Sequence, residues 1–260
     1  MWSWNHLAPG WLLFLIFIAV AIGFGALGVW LLRGRAKRLS EAEPKWLDLI
    51  THTITVTGTL YALLLVLTAL QVYGTYSQAS LAVATEAAEL NALHSVVSEY
   101  PEPTRSKLQG ELREYVDFMA NEAWPAYRRG DNVEGDRQLA EQLSNTLLSF
   151  EPSSEREQRL NSLALVEFNK LSEARQIRHT FATAALPTTL WFTLLFGAAI
   201  IIILSCFIPT RTRRASLVLV CAVASMIALL IFIIERVDDP FRGSMNVSAG
   251  PYVEAGKNMR

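Results

Sequence analysis

Seven residues in one apolar stretch recur at spacings of three and four: Thr51, Thr55, Gly58, Thr59, Ala62, Val66 and Ala69. On a helix that spacing places them along a single face. The face is small throughout and carries hydroxyls at one end. Two chemistries fit it. Threonine hydroxyls can line a pore wall and meet a hydrated ion, with an apolar constriction beyond them. Membrane helices also use Gly, Ala, Ser and Thr for close packing against one another. A second group, Arg175, Arg178 and His179, lies on neighbouring turns just before a charge-free run. It reads either as an anion-attracting vestibule or as a solvated face and headgroup anchor. Asp238 and Asp239 form a carboxylate pair of the kind that suits a hard cation. With Pro240 directly after them, they also read as a helix-terminal turn.

Other chemistry is not legible. There is no phosphate-cradling glycine loop, no Gly-x-Ser-x-Gly and no His-Glu-x-x-His. His6, His52, His94 and His179 are scattered, without metal-ligand spacing. No catalytic residue, metal site or cofactor is expected, and the chain does not read as an enzyme. Cys206 and Cys221 both fall in apolar runs and read as small buried residues rather than a disulfide. A net charge of −1 gives no general basic character for nucleic acid.

The elements that carry these residues are membrane spans. The 260 residues are 52% hydrophobic with a mean hydropathy of +0.27, too apolar for an ordinary soluble domain and too charged to be membrane helices alone. Residues 1–76 read as a first transmembrane hairpin, with spans near 11–32 and 50–74. Trp2, Trp4 and Trp11 sit at one end of the first span and Trp30 at the other, as in an interfacial belt. Its basic residues, Arg33, Arg35, Lys37 and Arg38, follow the apolar run, so it reads as a retained anchor rather than a signal peptide. Residues 187–236 form a second hairpin with spans near 188–208 and 215–235, and residues 237–260 read as an irregular tail.

Residues 77–186 read as a helical module outside the membrane. Its helices are expected through about Glu99, over Thr104–Tyr127 with Pro125 disturbing the last turn, and from a cap at Asp131 and Glu134 to Phe150. A long helix then starts at Ser154, with Glu157 at capping-box spacing, and continues towards Ile208. Pro187 is expected to kink it or to begin a new helix. The fold class is therefore an all-α integral membrane protein, four transmembrane helices in two hairpins with a helical module between the second and third. The short basic loops, Arg33–Lys45 and Arg211–Arg214, point to the cytoplasm by the positive-inside rule. The module, with 17 Asp/Glu against 11 Lys/Arg from Tyr76 to Ala185, would then lie on the opposite side.

Several short motifs resemble the bestrophin-like family of membrane proteins. They are Thr85-Glu86-Ala87, Tyr115 with Glu122-Ala123-Trp124-Pro125, Glu173-Ala174-Arg175 with Arg178, Leu186-Pro187 with Trp191, and Asp238-Asp239-Pro240-Phe241-Arg242-Gly243. The likeness runs from the first span to the tail, and it is carried by the order and spacing of the motifs around four spans. One departure is the Glu-Ala before Trp-Pro, where Glu alone fits the family. The resemblance implies structural roles for Glu86, Glu122, Trp124, Pro125, Glu173, Arg175, Arg178, Pro187, Trp191, Asp239, Pro240, Phe241 and Gly243. Bestrophins proper are pentameric anion channels with an acidic calcium-binding run after the corresponding Pro-Phe-Gly. Here Ser244–Ser248 contains no carboxylate. The resemblance thus implies an oligomeric, channel-like architecture without calcium gating. It also implies a cytosolic module, opposite to the loop charges.

Two functions stay open on these grounds. One is a homo-oligomeric channel for small ions in the lipid bilayer, with the second span lining the pore. The other is a non-conducting scaffold or sensor whose module binds a partner. The expected location is a cell membrane, the bacterial inner membrane.

Overall fold

A computed structural model describes residues 10–43, 45–131, 133–242 and 246–259. All regular structure among them is helical. The helices are α1 (Gly10–Ala42), α2 (Trp46–Val97), α3 (Thr104–Phe118), α4 (Trp124–Arg129), α5 (Gly135–Leu148), α6 (Glu155–Ala182), α7 (Thr188–Cys206), α8 (Arg213–Asp238) and α9 (Gly250–Asn258). Four of them, α1, α2, α7 and α8, are long and apolar enough to cross a membrane. The chain divides into two compact units. One comprises the residues up to Tyr73 together with Ala185–Asp238, the other Gly74–Ala184 with the residues from Asp239 onward.

In the first unit α1 lies against α8 and α7. The rings of Phe14 and Phe17 meet Phe232 edge-on at 5.3 and 5.7 Å. Val29, Leu194, Ile202, Val220, Ala224 and Ile231 form the buried core. Large apolar side chains also point outward, among them Trp11, Trp30, Phe192, Phe196 and Val218. That pattern suits a lipid surround, where burying apolar area within the chain brings no advantage over contact with acyl tails. α2 joins this core through Tyr61, Leu65 and Val72, with Thr68 also buried. Tyr61 donates to the carbonyl of Leu194 (3.1 Å), and the Cδ2–Cε2 edge of its ring lies against Gly197 of α7. Both cysteines are free.

The second unit is a helical core in the ordinary sense. Leu90 and Leu93 of α2, Leu108 and Leu112 of α3, and Leu143 and Leu147 of α5 are all essentially inaccessible. The α2 positions Ala79, Val83, Ala87, Leu90, Leu93 and Val97 repeat every three or four residues and are nearly all small or branched. They meet Ala164 and Leu171 of α6 in the same cluster.

Three boundaries differ from the sequence expectation, and a fourth decides between two alternatives. The helix expected over Thr104–Tyr127 is interrupted by a π-helical turn at Met119–Ala123. Pro125 cannot donate to the carbonyl four residues back, and its ring crowds that carbonyl. The chain widens there, and the Trp124 N–H bonds five residues back, to Met119. The helix then ends at Gly130 (φ 84°), whose left-handed conformation a side chain would strain.

The cap expected at Asp131 and Glu134 does not form. Asp131 pairs with Arg129 at 2.9 Å, and α5 begins later, with Glu134 making no side-chain cap bond. Of the two roles expected of Pro187, kinking one long helix or beginning a new one, the second holds, and the stretch from Ser154 towards Ile208 is two helices. Ser154 caps α6 by accepting from the Glu157 N–H (3.2 Å), while Glu157 reaches back to Ser153. α6 stops at Ala182, and Pro187, extended at φ −54° and ψ 137°, precedes a new helix. The tail is not irregular either. Pro251 lies in the first turn of α9, where its missing N–H costs nothing. Tyr252, Ala255 and Met259 bury the inner face of that segment.

Candidate functional site

Two sets of residues carry the chemistry, one in each unit. The first is the face of α2 expected to line a pore. Thr51, Thr55, Thr59, Ala62, Val66 and Ala69 are exposed in the single chain, and Gly58 is half-buried. The face turned to the unit's own core is the other one, through Tyr61, Leu65, Thr68 and Val72. Thr55 donates to the carbonyl of Thr51 and Thr59 to that of Thr55, both at 2.8 Å. Each hydroxyl proton is thus spent on the helix's own backbone, and what projects outward is oxygen lone pairs and methyl groups.

The second set is a buried ionic network in the helical unit. Arg178 of α6 is fully buried and uses all three guanidinium nitrogens. Nε donates to Glu86 Oε2 at 2.6 Å, Nη2 to Asp136 Oδ2 at 2.6 Å and Nη1 to the Tyr127 hydroxyl at 2.7 Å. Glu86 and Asp136 are also fully buried. Tyr115 donates to the other oxygen of Glu86 at 2.6 Å. His179 Nε2 stands 2.6 Å from Asp136 Oδ2. An ionised carboxylate only accepts, so that ring nitrogen carries the hydrogen. Tyr252 of α9 brings a fully buried hydroxyl to the network without a hydrogen-bond partner. Burial pushes the Tyr252 and Tyr115 hydroxyls well above the usual phenol range, and the Glu86 charge raises both further.

Burial alone would raise the Asp136 pKa. The His179 hydrogen bond and the Arg178 charge outweigh it and hold the carboxyl at about 2. The ionised carboxylate therefore favours the folded state. Its contribution is complete above about pH 4 and lost as the pH falls through about 2. Wild-type protein should accordingly lose on the order of 2 kcal/mol more stability than Asp136→Asn across that window. Chemical unfolding in mild detergent at pH 4.5 and 2.5 measures this, and parallel losses in the two proteins would refute it.

The remaining motif residues serve helix ends and packing. Trp124 donates to the carbonyl of Val247 at 2.8 Å and packs among Tyr127, Phe241 and Tyr252. Pro240 and Phe241 are buried, while Glu122, Pro125, Glu173 and Pro187 are exposed. Trp191 and the Leu186 N–H both donate to Asp238, at 3.3 and 2.8 Å. Asp239 accepts from the Phe241 N–H and pairs with Arg242 at 3.1 Å. Of the two readings of these carboxylates, helix-terminal contacts describe their geometry. Arg175 is half-buried, and its Nε and Nη1 have no partner. Gly243 lies outside the described residues.

The arrangement brings Glu86, Tyr115 and Arg178 together, three residues of separate motifs. Asp136, Tyr127 and Tyr252 were not singled out by sequence. Asp136 looks like any acid in a first helical turn, which is where helices favour one.

The fold has known counterparts. The chain is similar to a crystallised single-substitution variant of a bacterial bestrophin homologue from Klebsiella pneumoniae, with a TM-score of 0.72 at 10% identity, over 95% of this chain and 97% of that one. A crystallised variant of a membrane protein matches at a TM-score of 0.67 and 10% identity, with the same coverage of both chains. No curated protein sequence matches the chain. At that identity the likeness shows the fold, and the sequence itself supplies the family. The Bestrophin-like domain model matches residues 19–252, from α1 to the network tyrosine of α9, and the chain belongs to that family.

Proposed function

We propose that the protein is a homo-oligomeric membrane channel for small ions, with α2 lining the conduit through Thr51, Thr55, Gly58, Thr59, Ala62, Val66 and Ala69. One observation carries the reading: this face of α2 is exposed save for half-buried Gly58, and the chain's own core takes a different face, about a third of a turn round the helix. Its hydroxyls and small side chains set it apart from the equally exposed Leu60, Leu63, Leu67 and Leu70 and suit a neighbouring copy or a water column rather than acyl tails. Family membership supports a channel over an enzyme. The proposed setting is a bacterial inner membrane, with the lipid bilayer and further copies as partners.

A scaffold has one observation in its favour. With the Thr55 and Thr59 protons spent on the backbone, the face is smooth enough for close helix packing. Reconstitution with single-channel recording decides between the two, with Thr59→Leu as the probe. A conduit predicts that bulky apolar groups displace ion-hydrating oxygens and favour dewetting. A barrier of about 1.4 kcal/mol already lowers conductance tenfold, with assembly intact by native mass. A scaffold predicts overpacking that costs roughly 1–3 kcal/mol and breaks the oligomer. Wild-type protein that passes no common monovalent ion, together with a Thr59→Leu variant that falls apart, sinks the channel.

A further inference from the structure

The first unit concentrates positive charge at one end. α1 and α8 run antiparallel: Phe14 meets Phe232, and a Cβ on Gly25 would stand 2.9 Å from Val220 Cγ1 and 3.7 Å from Ala224 Cβ. Continued along both helices, that register sets Arg33 level with the first turn of α8, where Arg213 and Arg214 lie. Ala36 and Ser216, one turn or less from these arginines, are each 2% exposed, in keeping with the helices staying packed there. The helix ends and connections here carry Arg33, Arg35, Lys37, Arg38, Lys45, Arg211, Arg213 and Arg214 against Glu41, Glu43 and Asp48. Glu41 already faces Lys37 at 3.8 Å. The first turn of α8 holds Arg213 and Arg214 and no acidic residue, so their charge adds to the positive end of the helix dipole.

One guanidinium is poorly served. Arg33 is half-buried, and its Nη1 is covered by the chain without a hydrogen-bond partner. A charged donor taken out of water without an acceptor is costly, and a phosphate oxygen is the acceptor that suits arginine best. The depth of the site is marked by Trp46. Its Nε1 donates to the Phe207 carbonyl (3.3 Å), and its ring meets that of Phe207 at 6.2 Å. Tryptophan held at the end of spans marks the headgroup layer.

We propose that this end of the unit binds the phosphate of an anionic phospholipid headgroup between Arg33 and the cluster Arg211, Arg213 and Arg214. The ligand chemistry is a phosphate ester with net negative charge, and the headgroup depth assigns it to lipid rather than to a dissolved ion. Basic pockets between membrane helices serve this purpose generally.

The full chain in mild detergent, exposed to equal phosphatidylglycerol and phosphatidylcholine of one acyl composition, is read by native mass spectrometry. Phosphatidylglycerol should be retained at least tenfold over phosphatidylcholine. Each arginine near a charged surface accounts for about fivefold, so Arg213→Gln with Arg214→Gln should bring a tenfold preference down to near-equal retention. Both side chains are exposed, so this pair keeps the fold if Arg33→Gln does not. Arg128→Gln with Arg129→Gln, exposed cations of the other unit, should leave the preference unchanged. Equal retention of the two lipids by the wild-type protein, or a preference that survives the arginine pair, overturns the proposal. Full displacement by inorganic phosphate at matched concentration assigns the site to a free ion and overturns it as well.

Discussion

Arg178→Met is expected to destabilise the helical unit by about 3–5 kcal/mol, the usual consequence of removing one partner from a buried ion pair. Here the loss is at the upper end, because the substitution strands two carboxylates, Glu86 and Asp136, both fully buried. It also removes the donor to the Tyr127 hydroxyl oxygen. Most of the cost lies in the charges left behind rather than in the bonds broken. Glu86→Gln and Asp136→Asn added to Arg178→Met should therefore recover a large part of it. Unfolding in mild detergent followed by circular dichroism measures both. A change below about 1 kcal/mol for the single variant would mean that the carboxylates are not charged in the folded protein.

Gly197→Leu should separate α2 from α7. A Cβ at this position would stand 2.5 Å from Tyr61 Cδ2 and 2.6 Å from Cε2, distances at which something must move. The ring cannot slide away cheaply, since its hydroxyl is tied to the Leu194 carbonyl one turn earlier. Overpacking of this kind costs roughly 1–3 kcal/mol. Tyr61→Phe, which keeps the shape and loses the hydrogen bond, should cost only about 0.6 kcal/mol in a membrane helix pair. Tyr61→Ala makes room for the leucine, so the double variant should be more stable than Gly197→Leu alone. Additive losses across that cycle would show that the two positions do not compete for one space.

The four spans were legible because a bilayer selects for composition over a fixed length, and no tertiary contact is needed to read it. α1 runs on past the span expected to end near Leu32 and continues to Ala42. Nothing between Arg33 and Ala42 breaks a helix, and the bilayer limits only the apolar part. The start of α5 was misplaced because an acid three residues before another imitates a capping box. The carboxylate of Asp131 is instead claimed by Arg129. α9 was legible in principle from Gly250-Pro251, a helix-start signal, but nine residues give little periodicity to read. The network was not legible. Arg178 pairs with partners 92 and 42 residues away. Arg175, Arg178 and His179 in a row look like a solvated surface until the chain folds round one of them.

Arg178, Glu86, Asp136, Tyr127, Tyr115 and Tyr252 come from six different helices, α6, α2, α5, α4, α3 and α9. A subset of them is worse than none. Two helices that met early would have to strip water from an arginine and one carboxylate without the remaining donors and acceptors. Partly assembled forms of the unit are therefore penalised electrostatically, and the charged centre is closed only when the last helix arrives. Interactions that close last form after the folding transition state and are present in the native state. Their strength accordingly sets how slowly the protein comes apart, with little influence on how fast it forms. The buried charges act as a kinetic latch on the helical unit.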